Sequence, residues 1–124
     1  MRLDELERIM WSKLDDLIMA CKGICGSNAA IEFHEFKLND VVEDCAYCIL
    51  KNLIDTLDIN SLDITLSNGS SLEFIKLDDV IIELGSESAS IYPIDEFIDR
   101  INELKEFNIL SDEDIVIIMK WLNV

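Results

Sequence analysis

The spacing of apolar residues changes twice along this chain, and that change restricts the folds it can adopt. From Leu3 to Ile24, apolar side chains recur every three or four residues, which predicts a helix that ends near Gly23 to Gly26. From Leu62 the period is two, which is typical of a strand with one buried face. After Pro93 the helical spacing returns. Helices at both ends with strands between them predict an α+β fold.

Three further helices are predicted outside the strand region. The second is expected over about 40–57, with Asn39 or Asp40 as its N-cap, and the third over about 94–107. Ser111 and Asp114 resemble a capping box with aspartate in place of glutamate, so the last helix is expected to run to Trp121. The β-branched residues in its body make a strand the alternative. Residues 30–36 fit either a short strand or a connector.

Four strands are expected between residues 62 and 92, joined by short turns. Asn68-Gly69 is the strongest hairpin signal, because a type I′ turn needs positive φ at both central residues. Asp78-Asp79 and residues 85–88 supply the next two turns. Pro93 cannot donate a ladder hydrogen bond and therefore marks the end of the sheet. The predicted architecture is a central antiparallel β-meander of three to four strands between two N-terminal and two C-terminal helices, in a single domain over residues 1–124.

The charge balance restricts the possible partners. The 124 residues include 26 acids and 10 lysines and arginines, which gives a formal net charge of −16. Nucleic acids and anionic membranes are bound by lysine and arginine, and this chain would repel both. We therefore expect no direct binding of nucleic acid and no membrane binding, and we expect a positively charged partner, with the chain acting as a monomer or homodimer.

The acids concentrate in the segment from Asp78 to Asp114, which holds twelve of them against Arg100 and Lys105. Because this segment also supplies the apolar faces of a strand and two helices, its acids are expected to face solvent and to share one surface. Such a surface imitates a phosphate backbone. The predicted partner-binding residues are Asp78, Asp79, Glu83, Glu87, Asp95, Glu96, Asp99, Asp112 and Glu113.

The four cysteines form two closely spaced pairs, with three residues between Cys21 and Cys25 and two between Cys45 and Cys48. Three interpretations are open: a zinc site, two disulfides, or buried free thiols. The N-terminus begins with acids instead of the basic and apolar stretches of a signal peptide, so a cytoplasmic location is expected. In the reducing cytosol, free core thiols are the favoured interpretation.

No constellation of catalytic residues is visible in the sequence. His34 is the only histidine, and no spacing ties it to a cysteine or serine nucleophile. The four glycines form neither a dinucleotide-binding fingerprint nor a phosphate-binding loop. We therefore expect a protein that is not an enzyme and carries no cofactor.

The leading hypothesis is an inhibitor that docks its acidic face on the basic nucleic-acid-binding surface of another protein, such as a nuclease. In size and composition the chain is similar to small acidic phage inhibitors of host defence nucleases, and to bacterial immunity proteins. This similarity is one of class and implies no functional positions. The alternatives are a zinc-stapled module using the four cysteines, and a dimeric accessory protein assembled through the helix stripe that begins at Leu3.

Overall fold

The computed structural model describes residues 1–26 and 41–123. The helices are α1 (Leu3–Ser12), α2 (Leu14–Ala20), α3 (Lys22–Cys25), α4 (Asp44–Thr56), α5 (Ile94–Glu106) and α6 (Asp112–Leu122). The strands are β1 (Val41–Glu43), β2 (Ser61–Thr65), β3 (Ser71–Lys76), β4 (Val80–Leu84) and β5 (Ser88–Pro93). The predicted α+β architecture is confirmed. Residues 30–36, with His34, and the expected cap at Asn39 or Asp40 lie outside the described residues.

The strands form one antiparallel sheet in the order β1-β5-β4-β3-β2. Strands β2 to β5 are the predicted meander, and β1 adds a fifth strand at the edge, where Val42 lies opposite Ala89. The sequence prediction placed residues 41–43 at the start of a helix and missed this strand. It was wrong because β1 depends on pairing with β5, more than 40 residues away, and three residues are too few to show a period.

Helices cover both faces of the sheet, which gives the molecule two apolar cores. On one face, α1, α2 and α4 pack against Ile75 and Ile82. On the other face, α5 and α6 pack against Phe74 and Ile81. Neighbouring residues of a strand point to opposite faces, so a strand covered on both sides is buried throughout. All five residues of β4 are buried for this reason.

The predicted helix from Leu3 to Ile24 is divided into three consecutive helices. The divisions fall at Lys13 and Cys21, whose ψ angles of 13° and 19° lie outside the helical range. The apolar stripe nevertheless continues through α1 and α2 and is buried in the first core; its buried members are Leu6, Met10, Leu14, Leu17 and Cys21. These residues of the stripe therefore pack inside the chain's own first core, which leaves them unavailable as the surface that the dimer alternative requires.

The β2–β3 hairpin forms at the predicted place with a different turn. Its loop has three residues, Ser67 to Gly69, closed by hydrogen bonds between Leu66 and Ser70 and between Gly69 and Leu66. Only Gly69 has positive φ, at 87°, so the predicted type I′ turn was wrong. The Asn68 side chain instead accepts a hydrogen bond from the Ser70 backbone N–H at 3.0 Å, an Asx turn that ordinary φ values permit.

The last element is a helix, as the capping box predicted. The Ser111 hydroxyl accepts from the Asp114 backbone N–H, and the Asp114 carboxylate accepts from the Ser111 N–H, both at 3.1 Å. The two bonds satisfy helix donors that would otherwise be unpaired, and the cap outweighs the strand preference of the β-branched body. Among the described residues, no helix is long and apolar enough to cross a membrane.

Candidate functional site

Helix α5 presents a single acidic face to solvent. It begins directly after Pro93, the last residue of β5, and buries Phe97, Ile101 and Leu104 in the second core. Because these buried residues are spaced three and four apart, the opposite face of the helix is left outside. Its exposed acidic residues are Asp95, Glu96, Asp99, Glu103 and Glu106.

These five carboxylates, here called the acid stripe, follow the helical repeat. Asp95, Asp99 and Glu103 are spaced four residues apart, and Glu106 lies on the next turn. At 1.5 Å per residue the stripe is about 16 Å long. Sequence reasoning selected Asp95, Glu96 and Asp99 as binding residues and left out Glu103 and Glu106, although the same spacing extends to both.

Most of the acid stripe has no ion-pair partner in the part of the chain that the structure describes. Glu103 is the exception, because its Oε1 lies 3.3 Å from Nη1 of Arg100. The remainder of the Arg100 guanidinium points inward, where Nε and Nη2 each donate to a Glu83 carboxylate oxygen at 3.3 Å. Arg100 is therefore largely committed to the interior, and the stripe keeps most of its negative charge.

Glu83 was predicted to face solvent, and that prediction was wrong. The residue is only 8% exposed and lies on the face of β4 that α5 covers. A buried carboxylate needs a charged partner, and the two-pronged contact with Arg100 provides one. The error arose because the prediction assumed an exposed sheet face, whereas helices pack on both.

Asp78 and Asp79 are exposed or half-buried in the β3–β4 turn, where they hold the N-terminus. The Met1 amino group lies 3.0 Å from Asp78 Oδ2, and the Asp79 carboxylate accepts from the Leu3 backbone N–H at 3.0 Å. Arg2 also lies 3.6 Å from Asp79. These contacts fix the start of α1, so both carboxylates are engaged within the molecule.

The remaining predicted residues lie outside α5, in the β4–β5 turn and in the first turn of α6. Glu87 is exposed in the β4–β5 turn, at the end of the sheet opposite to the start of α5. Asp112 pairs with Lys105 at 3.1 Å, and Glu113 is exposed in the first turn of α6. The structure thus aligns the α5 acids on one helix face, places Glu87 at the far end of the sheet, and pairs Asp112 with Lys105 of α5.

The prediction of free core thiols was wrong, because the four cysteines form two disulfides. Cys21 pairs with Cys48 and Cys25 with Cys45, with Cα–Cα distances of 6.0 and 4.7 Å. Each helical segment carries its two cysteines one turn apart, and the packing of α2 and α3 against α4 brings the two pairs face to face. The zinc alternative was also wrong: within residues 1–26 and 41–123 no group of side chains is arranged to hold a metal ion.

An open cavity of about 770 Å³ lies beside α4, above the sheet face that carries Asp63 and Glu73. Its wall includes Tyr47, whose hydroxyl donates to the Gly85 carbonyl, and Lys51. Glu73 Oε1 is buried and has no hydrogen-bond partner among the described residues. Desolvation, and then the negative charge of Asp63, raise the pKa of Glu73 above its usual range.

Replacing Glu73 with glutamine is expected to raise the melting temperature at neutral pH. A carboxyl whose pKa is raised in the folded state destabilises that state above the pKa, and this effect disappears as the pH falls below it. The gain from Glu73→Gln should therefore shrink towards zero at acidic pH, as followed by circular dichroism. Glu5→Gln, at an exposed site on α1, controls for the lower net charge. A gain independent of pH would contradict the prediction.

The geometry thus offers two candidate features, the acid stripe and the polar cavity beside α4. Comparison of the chain with protein-family models, curated proteins and solved structures finds no match.

Proposed function

We propose that this protein is a binding module that docks the acid stripe of α5 on a basic surface of another protein. The target surface is one that normally holds DNA or RNA, so docking inhibits the target. The observation that carries the proposal is the alignment of five exposed carboxylates along about 16 Å of one helix face. Among the described residues, the only ion pair of these five joins Glu103 to Arg100, which also binds the buried Glu83. No side chain has a catalytic role in this proposal.

The net charge of −16 supports the same assignment. Complementary charge accelerates association with a cationic partner and disfavours like-charged partners. Nucleic acid and anionic lipid belong to the disfavoured class. The burial of α5 against the sheet also supports the proposal, because a helix fixed by Phe97, Ile101 and Leu104 holds its carboxylates in place before the partner arrives.

The two disulfides bear on the compartment in which this binding takes place. Disulfides persist where the environment is not reducing, and they favour such a compartment over the cytoplasm predicted from the sequence. The target would then be a basic protein of the same compartment. Acid quenching of intact cells, followed by alkylation of the unfolded protein and mass spectrometry, tests this point, because in the unfolded chain only disulfide-bonded cysteines stay unmodified.

Neutralising the acid stripe is expected to abolish capture of the partner. The test variant is Asp95→Asn/Glu96→Gln/Asp99→Asn, used in a pull-down from lysate at rising salt. Wild-type protein should capture nucleic-acid-binding proteins at low salt and release them as the added salt screens the charges. At low salt, the amount of protein that the variant captures should be at least about tenfold smaller.

The matched control is Glu5→Gln/Asp15→Asn/Asp16→Asn. It removes the same number of charges from exposed residues of α1 and α2. All three of its acids lie in a helix first turn, as do two of the three in the test variant. These helices cover the opposite face of the sheet. Equal loss of capture in both variants would show that total charge, and not the acid stripe, drives binding.

A further inference from the structure

An exposed aromatic side chain stands at the end of the acid stripe. Phe107 follows the last residue of α5 and is 67% exposed. Its backbone N–H donates to the Glu103 carbonyl at 3.1 Å, so the chain is still helical at this point and Phe107 lies one turn beyond Glu103 on the same face. The stripe thus continues directly into an apolar group.

The backbone around Phe107 is held by a Schellman motif. Asn108 has a positive φ of 58°, its N–H donates to the Lys105 carbonyl at 3.0 Å, and the Ile109 N–H donates to the Leu104 carbonyl at 2.9 Å. Leu110, three residues after Phe107, is buried in the second core. The position of the ring's attachment is therefore fixed, which lowers the entropy lost when the ring is buried by a partner.

The adjacent helix adds further apolar surface to the same layer. The outward face of α6 exposes Val116 and Ile117, at 52% and 47%. Aromatic residues are enriched at the centres of protein interfaces, and most binding energy comes from a few buried anchors of this kind. An exposed phenylalanine at the end of the acid stripe is thus a suitable anchor, whereas the carboxylates of the stripe suit the polar rim.

Charge identifies the occupant of this surface. A second copy of the chain would bring its own net charge of −16 against the acid stripe, and an anionic membrane would be repelled in the same way. A basic protein surface with an apolar pocket complements both features. We propose, on the basis of the function proposed above, that Phe107 is the apolar anchor of the acid stripe and inserts into such a pocket on the partner.

Two synthetic probe peptides of about 18 residues, with equal length and equal positive charge, test the anchor. One is an amphipathic lysine-leucine helix, and the other is a lysine-glutamine peptide without apolar residues. Calorimetry should show that wild-type protein binds the lysine-leucine peptide at least about tenfold more tightly than the lysine-glutamine peptide, because only the former can bury the Phe107 ring. Phe107→Gln should remove this preference, and Phe107→Leu should keep most of it.

The control for exposed apolar surface is Met19→Gln, at a residue of α2 that is 75% exposed on the other side of the sheet. This variant should keep the preference. An unchanged preference of Phe107→Gln for the lysine-leucine peptide would overturn the proposal. A wild-type dimer, seen by sedimentation and lost in Phe107→Gln, would also overturn it. A different result would contradict the proposed function: an affinity for both peptides that Asp95→Asn/Glu96→Gln/Asp99→Asn leaves unchanged.

Discussion

Removal of both disulfides is expected to lower the free energy of unfolding by about 5 kcal/mol, the largest effect of any change considered. The two bonds are nested, with sequence separations of 27 and 20 residues. The first bond to form restricts a long loop of the unfolded chain and contributes about 3 kcal/mol, whereas the second closes only a short additional loop and contributes less. A single pair replaced by serine should therefore cost only about 2 kcal/mol, less than half of the total, because the remaining bond still restricts a long loop.

Chemical denaturation with and without a thiol reductant measures this effect. A variant in which Cys21, Cys25, Cys45 and Cys48 are all serine provides the control, because its midpoint should not respond to reductant. Peptide mapping under non-reducing conditions should recover Cys21 with Cys48 and Cys25 with Cys45. A wild-type midpoint that is insensitive to reductant would contradict the account of these bonds.

Replacing Phe74 with alanine is expected to cost about 4 kcal/mol. Phe74 is fully buried at the centre of the second core. Its ring lies 5.3 Å from the Phe97 ring in an edge-to-face arrangement and 6.4 Å from the Trp121 ring. The substitution leaves a cavity that joins β3, α5 and α6, and rigid elements on three sides cannot collapse into it.

Phe107→Ala is the matched control, because it removes the same side chain from an exposed site. Its cost should stay within about 0.5 kcal/mol. Equilibrium unfolding in urea measures both variants. A loss for Phe74→Ala no larger than that for Phe107→Ala would contradict the assignment of the second core. The comparison also shows whether Phe107 can be changed for binding experiments without loss of the fold.

Local patterns in the sequence predicted most of the elements, and the reasons are physical. The two-residue period from Leu62, the glycine of the first hairpin and the capping box at Ser111 each act within a few residues, so they are legible without tertiary information. Strand β1 depends on pairing with β5, a distant element, and the apolar stripe of residues 3–24 carries no signal of the division at Lys13. Neither could be predicted from the local pattern.

The same distinction between local patterns and long-range contacts applies to the candidate site. The acids of α5 could be predicted to face solvent because the period of Phe97, Ile101 and Leu104 fixes the orientation of that helix. The burial of Glu83 depends on its ion pair with Arg100, 17 residues away, and no spacing rule in the sequence specifies this contact. The cysteine pairing likewise depends on which helix faces which. The spacing alone left zinc, disulfide and free thiol open, and the preference for free thiols came from the expected compartment.

Displacement of nucleic acid from a captured partner tests whether the acid stripe occupies the partner's nucleic-acid-binding surface. The partner is loaded with a fluorescent DNA duplex, and the anisotropy is followed as this protein is added. The account predicts that wild-type protein and Glu5→Gln/Asp15→Asn/Asp16→Asn release the duplex at similar concentrations, and that Asp95→Asn/Glu96→Gln/Asp99→Asn needs about tenfold more. A stable ternary complex, with the duplex still bound at saturating protein, would contradict it.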